Sequence, residues 1–145
     1  MRRSPEIEQC VRDMVSAVDR GNVEAAKRSL SGEEGVVMIG TSPDEYARSE
    51  EGMGQMIEDS TPEGPEQIHM SVDEVYGYEE GDVAWADSTG RFTRDDKTVA
   101  TRFTTVFHRE EGGWRCVQAH ASIGVANERM FDAGLSRESA IKGRE

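Results

Sequence analysis

The side chains that could move protons or grip a ligand are few and scattered. Asp87 lies in the alternating run Val83, Trp85, Asp87 of a β-prone segment. An aspartate held in an apolar cavity has its charged form disfavoured, so its pKa rises and it can serve as general acid or base. On the opposite face of the same strand it is merely solvated, and the face depends on register. A two-residue Asp95-Asp96 turn puts Trp85 and Asp87 on the outer face; changing that loop by one residue brings both into the cavity, and both registers remain open. Asp44 and Glu45 follow a short strand, a natural place for a base. However, Ser42-Pro43-Asp44-Glu45 reads as a capping box, with Ser42 at the N-cap and Glu45 at N3, which accounts for both carboxylates. His69 alternates with Ile68 and Met70 and so points to solvent or to an interface. No His, Cys, Asp or Glu cluster has metal-ligand spacing, and there is no Gly-x-Ser-x-Gly elbow, phosphate loop or dinucleotide fingerprint. The expectation is therefore no metal and no cofactor.

Such groups need elements to position them. Ser4 caps a helix with Pro5 at its first position, and Ile7, Val11, Met14 and Val18 recur at helical spacing up to Gly21. Asn22 caps a shorter helix with Val23, Ala26 and Leu30 inward. Val36 to Ile39 is β-branched and too short for a helix, so it reads as a strand ending at Gly40. The capping box should then open a helical turn carrying Tyr46, followed by a helix from about Glu50 to Asp59, weakened by Gly52 and Gly54. After Thr61-Pro62-Glu63-Gly64-Pro65 the periodicity changes to two. Four strands follow, around Ile68–Asp73, Val83–Ser88, Thr101–His108 and Trp114–Ser122, joined by short polar turns as an antiparallel meander. The tail beyond Asn127, with Met130, Phe131 and Leu135, could dock loosely as a helix before a polar end that frays.

Composition narrows the partners. With 145 residues the chain is one domain, and its formal charge of −12 without a basic stripe excludes nucleic acid and anionic membrane surfaces. No apolar run is long enough to span a bilayer. Arg2-Arg3 is followed by Ser4-Pro5-Glu6, unlike a secretory signal. Cys10 and Cys116, far apart in sequence, read as free thiols of a cytoplasmic protein. Three lysines against 29 acidic residues suit a high-salt cytoplasm, or equally a GC-rich genome.

The last hairpin sorts side chains into faces. A three-residue Glu110-Glu111-Gly112 turn would pair His108 with Trp114, Val106 with Cys116, Thr104 with Gln118 and Arg102 with His120. Phe103, Thr105 and Phe107 then share the more apolar, concave face with Val117, Ala119 and Ala121. His120 and Arg102 fall on the outer face, where a sheet-to-sheet contact between two copies fits them better than catalysis.

Three stretches carry a resemblance: Val37 through Tyr46, Gly81-Asp82-Val83-Ala84-Trp85, and Thr104 through Ser122. They resemble the nuclear transport factor 2-like superfamily, an α+β roll in which N-terminal helices pack on a strongly curved antiparallel sheet to make a cone, and specifically its SnoaL-like branch. Gly112-x-Trp114 followed by His120-x-Ser122 is also similar to the association domain of calcium/calmodulin-dependent kinase II, although Thr105 and Ala121 stand where that domain places pocket arginines. The resemblance covers residues 4–127, with 128–145 as a tail. It implies a homodimer that binds a small, largely apolar organic molecule in a cone lined by Tyr46, Trp85, Phe103, Thr105, Phe107 and Ala119. Arg102, Thr104, Gln118 and His120 would form the dimer interface. The alternatives are an isomerase, cyclase or dehydratase using Asp87 or a helix-side carboxylate with Tyr46 as hydrogen-bond donor, and a module that only oligomerises.

Overall fold

A computed structural model of the chain describes residues 1–132. Helix α1 (Pro5–Asp19) begins where the Ser4 hydroxyl accepts the Ile7 N–H at 3.3 Å, and buries Ile7, Val11, Met14, Ala17 and Val18 on one face. Burial of these side chains supplies roughly 1.5–3 kcal/mol for each large one. The Asn22 side chain caps α2 (Val23–Arg28) through the Ala25 N–H. In α3 (Glu50–Asp59) the Ser49 hydroxyl accepts the Gly52 N–H, and Met53, Gly54 and Ile57 face the core. The two glycines leave this helix intact because its buried side is held by packing rather than by propensity.

Seven strands form one sheet in the order β1-β4-β5-β6-β7-β2-β3. The long meander is β4 (His69–Glu80), β5 (Val83–Arg94), β6 (Lys97–Glu110) and β7 (Gly113–Ser122). Strand β2 (Val37–Ile39) runs parallel to β7, β3 (Tyr46–Ala47) folds back on β2, and β1 (Arg2–Arg3) closes the other edge against β4. The sheet curls round the helices without closing, which is the cone-shaped α+β roll. Its core collects α1 residues, Leu30, Met53 and Ile57 against Val75, Ala84, Ala86, Phe107, Trp114, Cys116 and Ala119. Helix α1 comes close to β4 because Gly77 has no side chain: a Cβ there would sit 3.0 Å from the Ser4 carbonyl oxygen. Among the described residues no helix is long and apolar enough to cross a membrane.

Four local expectations are corrected. Ser42 to Glu45 forms a turn between β2 and β3, not a helix start, so Tyr46 belongs to a strand. Only half of the capping box is present: Glu45 Oε1 accepts the Ser42 N–H at 2.8 Å, while the Ser42 hydroxyl donates to Asp44. The last hairpin has a two-residue Glu111-Gly112 turn, since Glu110 pairs with Gly113. A bulge at Val117 takes up the extra residue, so Phe107 pairs with Cys116 while Thr104 pairs with His120. Trp114 and Cys116 are consequently buried rather than on the outer face. In the tail, a single 3-10 turn spans Asn127–Arg129, Met130 and Phe131 are exposed, and Leu135 lies outside the described residues.

Candidate functional site

The register of β5 against β6 settles the faces. Arg94 pairs with Lys97 across a two-residue Asp95-Asp96 turn, with Asp95 left-handed at φ 55°. Trp85 therefore pairs with Val106 and Asp87 with Thr104, both on the outer face. Ser88, Gly90, Thr101, Phe103 and Ala121 take the inner positions beside the helices, and there the cone holds a cavity of about 140 Å³.

The cavity is walled by Met14, Val15 and Val18 of α1, Met56 and Ile57 of α3, Met38 and Ile39 of β2, and Met70, Val72, Phe92 and Phe103 of the sheet. Gly90 lets β4 and β5 approach beside it; an added Cβ would lie 2.1 Å from the Ser71 carbonyl oxygen. The polar lining is sparse, comprising hydroxyls such as Ser88 and Thr101 and two carboxylates, Glu45 and Glu66. The Ser88 hydroxyl donates to the Phe103 carbonyl at 3.3 Å.

Glu45 is placed by the β2–β3 turn. Its main-chain carbonyl accepts the Gly40 N–H at 2.8 Å, and its side chain folds back over Gly40, where a Cβ would meet Glu45 Cδ at 2.8 Å. Burial pushes the Glu45 carboxyl above the usual carboxylate range. The Ser42 N–H opposes that rise, and the negative charges of Glu66, Asp44 and Asp59 add to it. Glu66 reaches the same cavity from the loop after α3, which is held by its N–H donating to the Asp59 carbonyl at 3.3 Å. At the start of β4, Asp19 of α1 accepts the Met70 N–H at 2.9 Å and contacts the His69 ring nitrogen at 3.2 Å, fixing the α1 end of the cavity.

Of the six side chains expected to line a pocket, Phe103 lines this one. Thr105, Phe107 and Ala119 face the same way but lie deeper, buried in the core. Tyr46 is 41% exposed on β3, and Trp85 stacks on Tyr78 across the outer face with ring centroids 6.4 Å apart. Asp87 is exposed in a row with Tyr76, Thr104 and His120. Arg102, Thr104, Gln118 and His120 are all exposed on that outer face, and the Arg102 Nε donates to the Ser122 hydroxyl at 3.2 Å. From sequence, Glu45 is a candidate base by its place after the first strand, set aside because a capping box accounts for it; Gly40, five residues before it, is a local signal of a side chain folding back. Among the described residues no three His, Cys, Asp or Glu side chains gather into a metal-holding group.

Comparison with known proteins agrees with this architecture. A nuclear transport factor 2-like protein of unknown function from Pseudomonas putida KT2440 superposes with a TM-score of 0.72 at 17% identity, over 85% of this chain and 87% of that one. A candidate dehydratase of the same family from Streptomyces avermitilis gives 0.71 at 16% identity, over 83% and 95%. A candidate calcium/calmodulin-dependent protein kinase type II association domain from Thiobacillus denitrificans gives 0.69 at 18% identity, over 86% and 100%. At these identities the likeness establishes the fold alone. No curated protein matches the sequence. The SnoaL-like domain profile matches residues 7–126, most of the sequence, and the chain belongs to that family, within the nuclear transport factor 2-like superfamily.

Proposed function

We propose that this SnoaL-like domain binds a small, largely apolar organic molecule inside the cone, and that two copies pair through their outer sheet faces. The observation that carries the reading is the cavity wall, in which methionine, aliphatic and phenylalanine side chains from α1, α3 and the sheet surround a space that few polar groups enter. Its volume suits a molecule of about one six-membered ring, since an engineered apolar cavity of about 150 Å³ takes up benzene. Pairing is supported by the outer face, where Tyr78, Trp85 and Val106 are half-buried and Tyr76 and Val83 exposed among polar neighbours. Such a mixture resembles an interface more than a solvated surface.

A thermal-shift screen of ring-sized compounds tests the binding reading. Ala121 lines the cavity beside Phe103, so Ala121→Trp should fill it and abolish the shift while the fold persists. Hits that bind Ala121→Trp equally well would refute the assignment. Light scattering at micromolar concentration should give twice the chain mass; a monomer would remove the pairing.

One observation favours a second, catalytic reading. Glu45 is a half-buried carboxyl on the cavity wall, with its proton affinity raised by burial. A group so tuned can shuttle a proton on a bound substrate, as an isomerase or dehydratase requires. Glu45→Gln would then keep ligand binding and slow turnover by about a hundredfold or more. Asp87, on the outer face, takes no part in this reading.

A further inference from the structure

The charged side chains of the cavity lining are of one sign. Glu45 and Glu66 belong to it, whereas no lysine, arginine or histidine does. Among the described residues neither carboxylate has a lysine, arginine or histidine within ion-pair distance, and the hydrogen bond that Glu45 receives comes from the Ser42 N–H. Arg94, at the end of β5, donates to the Glu66 main-chain carbonyl at 3.4 Å and is not part of the lining. A neutral polar side chain lies in the same wall: Thr101 is only 6% exposed and lines the cavity.

These facts discriminate between ligand charges. An anion in the cavity would be repelled by both carboxylates with no cation to offset them. A neutral hydrocarbon would strip water from Glu45 and return nothing for it. An ammonium group relieves the mutual repulsion of the two carboxylates and donates to both. The remaining wall also suits a cation, because Phe92 and Phe103 bring aromatic rings to it and Met14, Met38, Met56 and Met70 bring polarizable sulfur.

Building on the binding reading above, we infer that the ligand is a small organic amine: a ring-sized apolar body among the methionines and phenylalanines, its ammonium held by Glu45 and Glu66, and a second polar atom within reach of Thr101. Charge-assisted hydrogen bonds to a partly exposed carboxylate are worth about tenfold in affinity each.

Three probes with one ring and different head groups test this on the full chain: benzylamine, benzyl alcohol and benzoate, each titrated by amide chemical-shift perturbation. Benzylamine should bind at least about tenfold more tightly than benzyl alcohol, with benzoate weakest. Glu66→Gln, in the loop, should erase most of that preference, and Glu45→Gln should do the same; if Glu45→Gln proves unstable, Glu66→Gln alone decides. Ala121→Trp should abolish binding of all three. If benzyl alcohol binds as tightly as benzylamine and Ala121→Trp blocks both, the charge inference is overturned while the pocket stands. Should benzylamine bind as well to Ala121→Trp as to the parent, or should none of the probes bind, the pocket reading and the amine inference are overturned together.

Discussion

Two phenylalanines on one strand face the same way yet should respond differently to truncation, and the difference measures the cavity. Phe107 is 1% exposed, in a cross-strand row with Ala84 and Cys116 deep in the core. Removing a ring packed on all sides costs about 3–5 kcal/mol through lost transfer energy and the void left behind. Phe103, four residues earlier, is only partly buried and has the cavity along one side. It forfeits contacts on the packed side alone, so Phe103→Ala should cost about half as much, roughly 1.5–2.5 kcal/mol. For a chain of this size each kcal/mol shifts the melting temperature by about 4 °C, which separates the variants by roughly 6–10 °C. Urea unfolding followed by far-ultraviolet circular dichroism and by tryptophan fluorescence would resolve them, provided the m-values agree and protomer concentrations match. Equal costs for the two variants would show that Phe103 is packed on every side and that the space beside it is filled in solution.

Two further outcomes follow from the ionisable groups. The Ser4 hydroxyl, then the Arg2 guanidinium, hold the Glu79 carboxyl below its usual range. Its contribution is therefore fully present above the unfolded value of about 4.3 and lost as pH falls through the lower folded value. Between pH 7 and pH 3 the parent's melting temperature should fall further than that of Glu79→Gln; parallel curves would show that the contact contributes nothing. Burial pushes the Cys116 thiol up to about 12, so at pH 8 a colorimetric thiol reagent should reach Cys116 only after unfolding, with Cys10 as the slow native site. Two rapid native thiols would contradict the burial of Cys116.

Much of the scaffold was legible because its signals are local. Ser4-Pro5 and Asn22 mark helix starts through hydrogen bonds to N–H groups three residues on, and α1 reveals its buried face by spacing alone. The meander was readable for the same reason, since period-two runs broken by Gly and Asp turns leave few alternatives. Parity was harder. A turn one residue shorter than expected in the last hairpin would have flipped every later side chain, and the bulge at Val117 flips them back. The two deviations cancel beyond the bulge, so Phe103 and Ala121 face inward as expected. Between the bulge and the turn they do not cancel, and there Trp114 and Cys116 exchange the outer face for the core.

Lining the cavity is a tertiary property, and this limited what the sequence could reveal about the site. Thr105, Phe107 and Ala119 share the inward face with Phe103, yet α1 and the end of α2 reach that end of the cone and fill it: Ile7 and Val11 belong to the same core, and the Cys116 N–H donates to the Ser29 carbonyl at 2.7 Å. Only where α1 ends, near Asp19, does the space open, so lining residues are drawn from the far half of each strand. Glu45 is the sharper case. A capping box and a turn whose glutamate reaches back to the Ser42 N–H share the same residues and half of the same hydrogen bonds, and they part only at the next residue, Tyr46, which pairs with Ile39 instead of continuing a helix. That pairing turns the glutamate over Gly40 and into the cone. The place of Glu45 in the cone thus depends on a strand two residues long, and a substitution that unpairs β3 should release Glu45 from the cavity without disturbing its methionine walls.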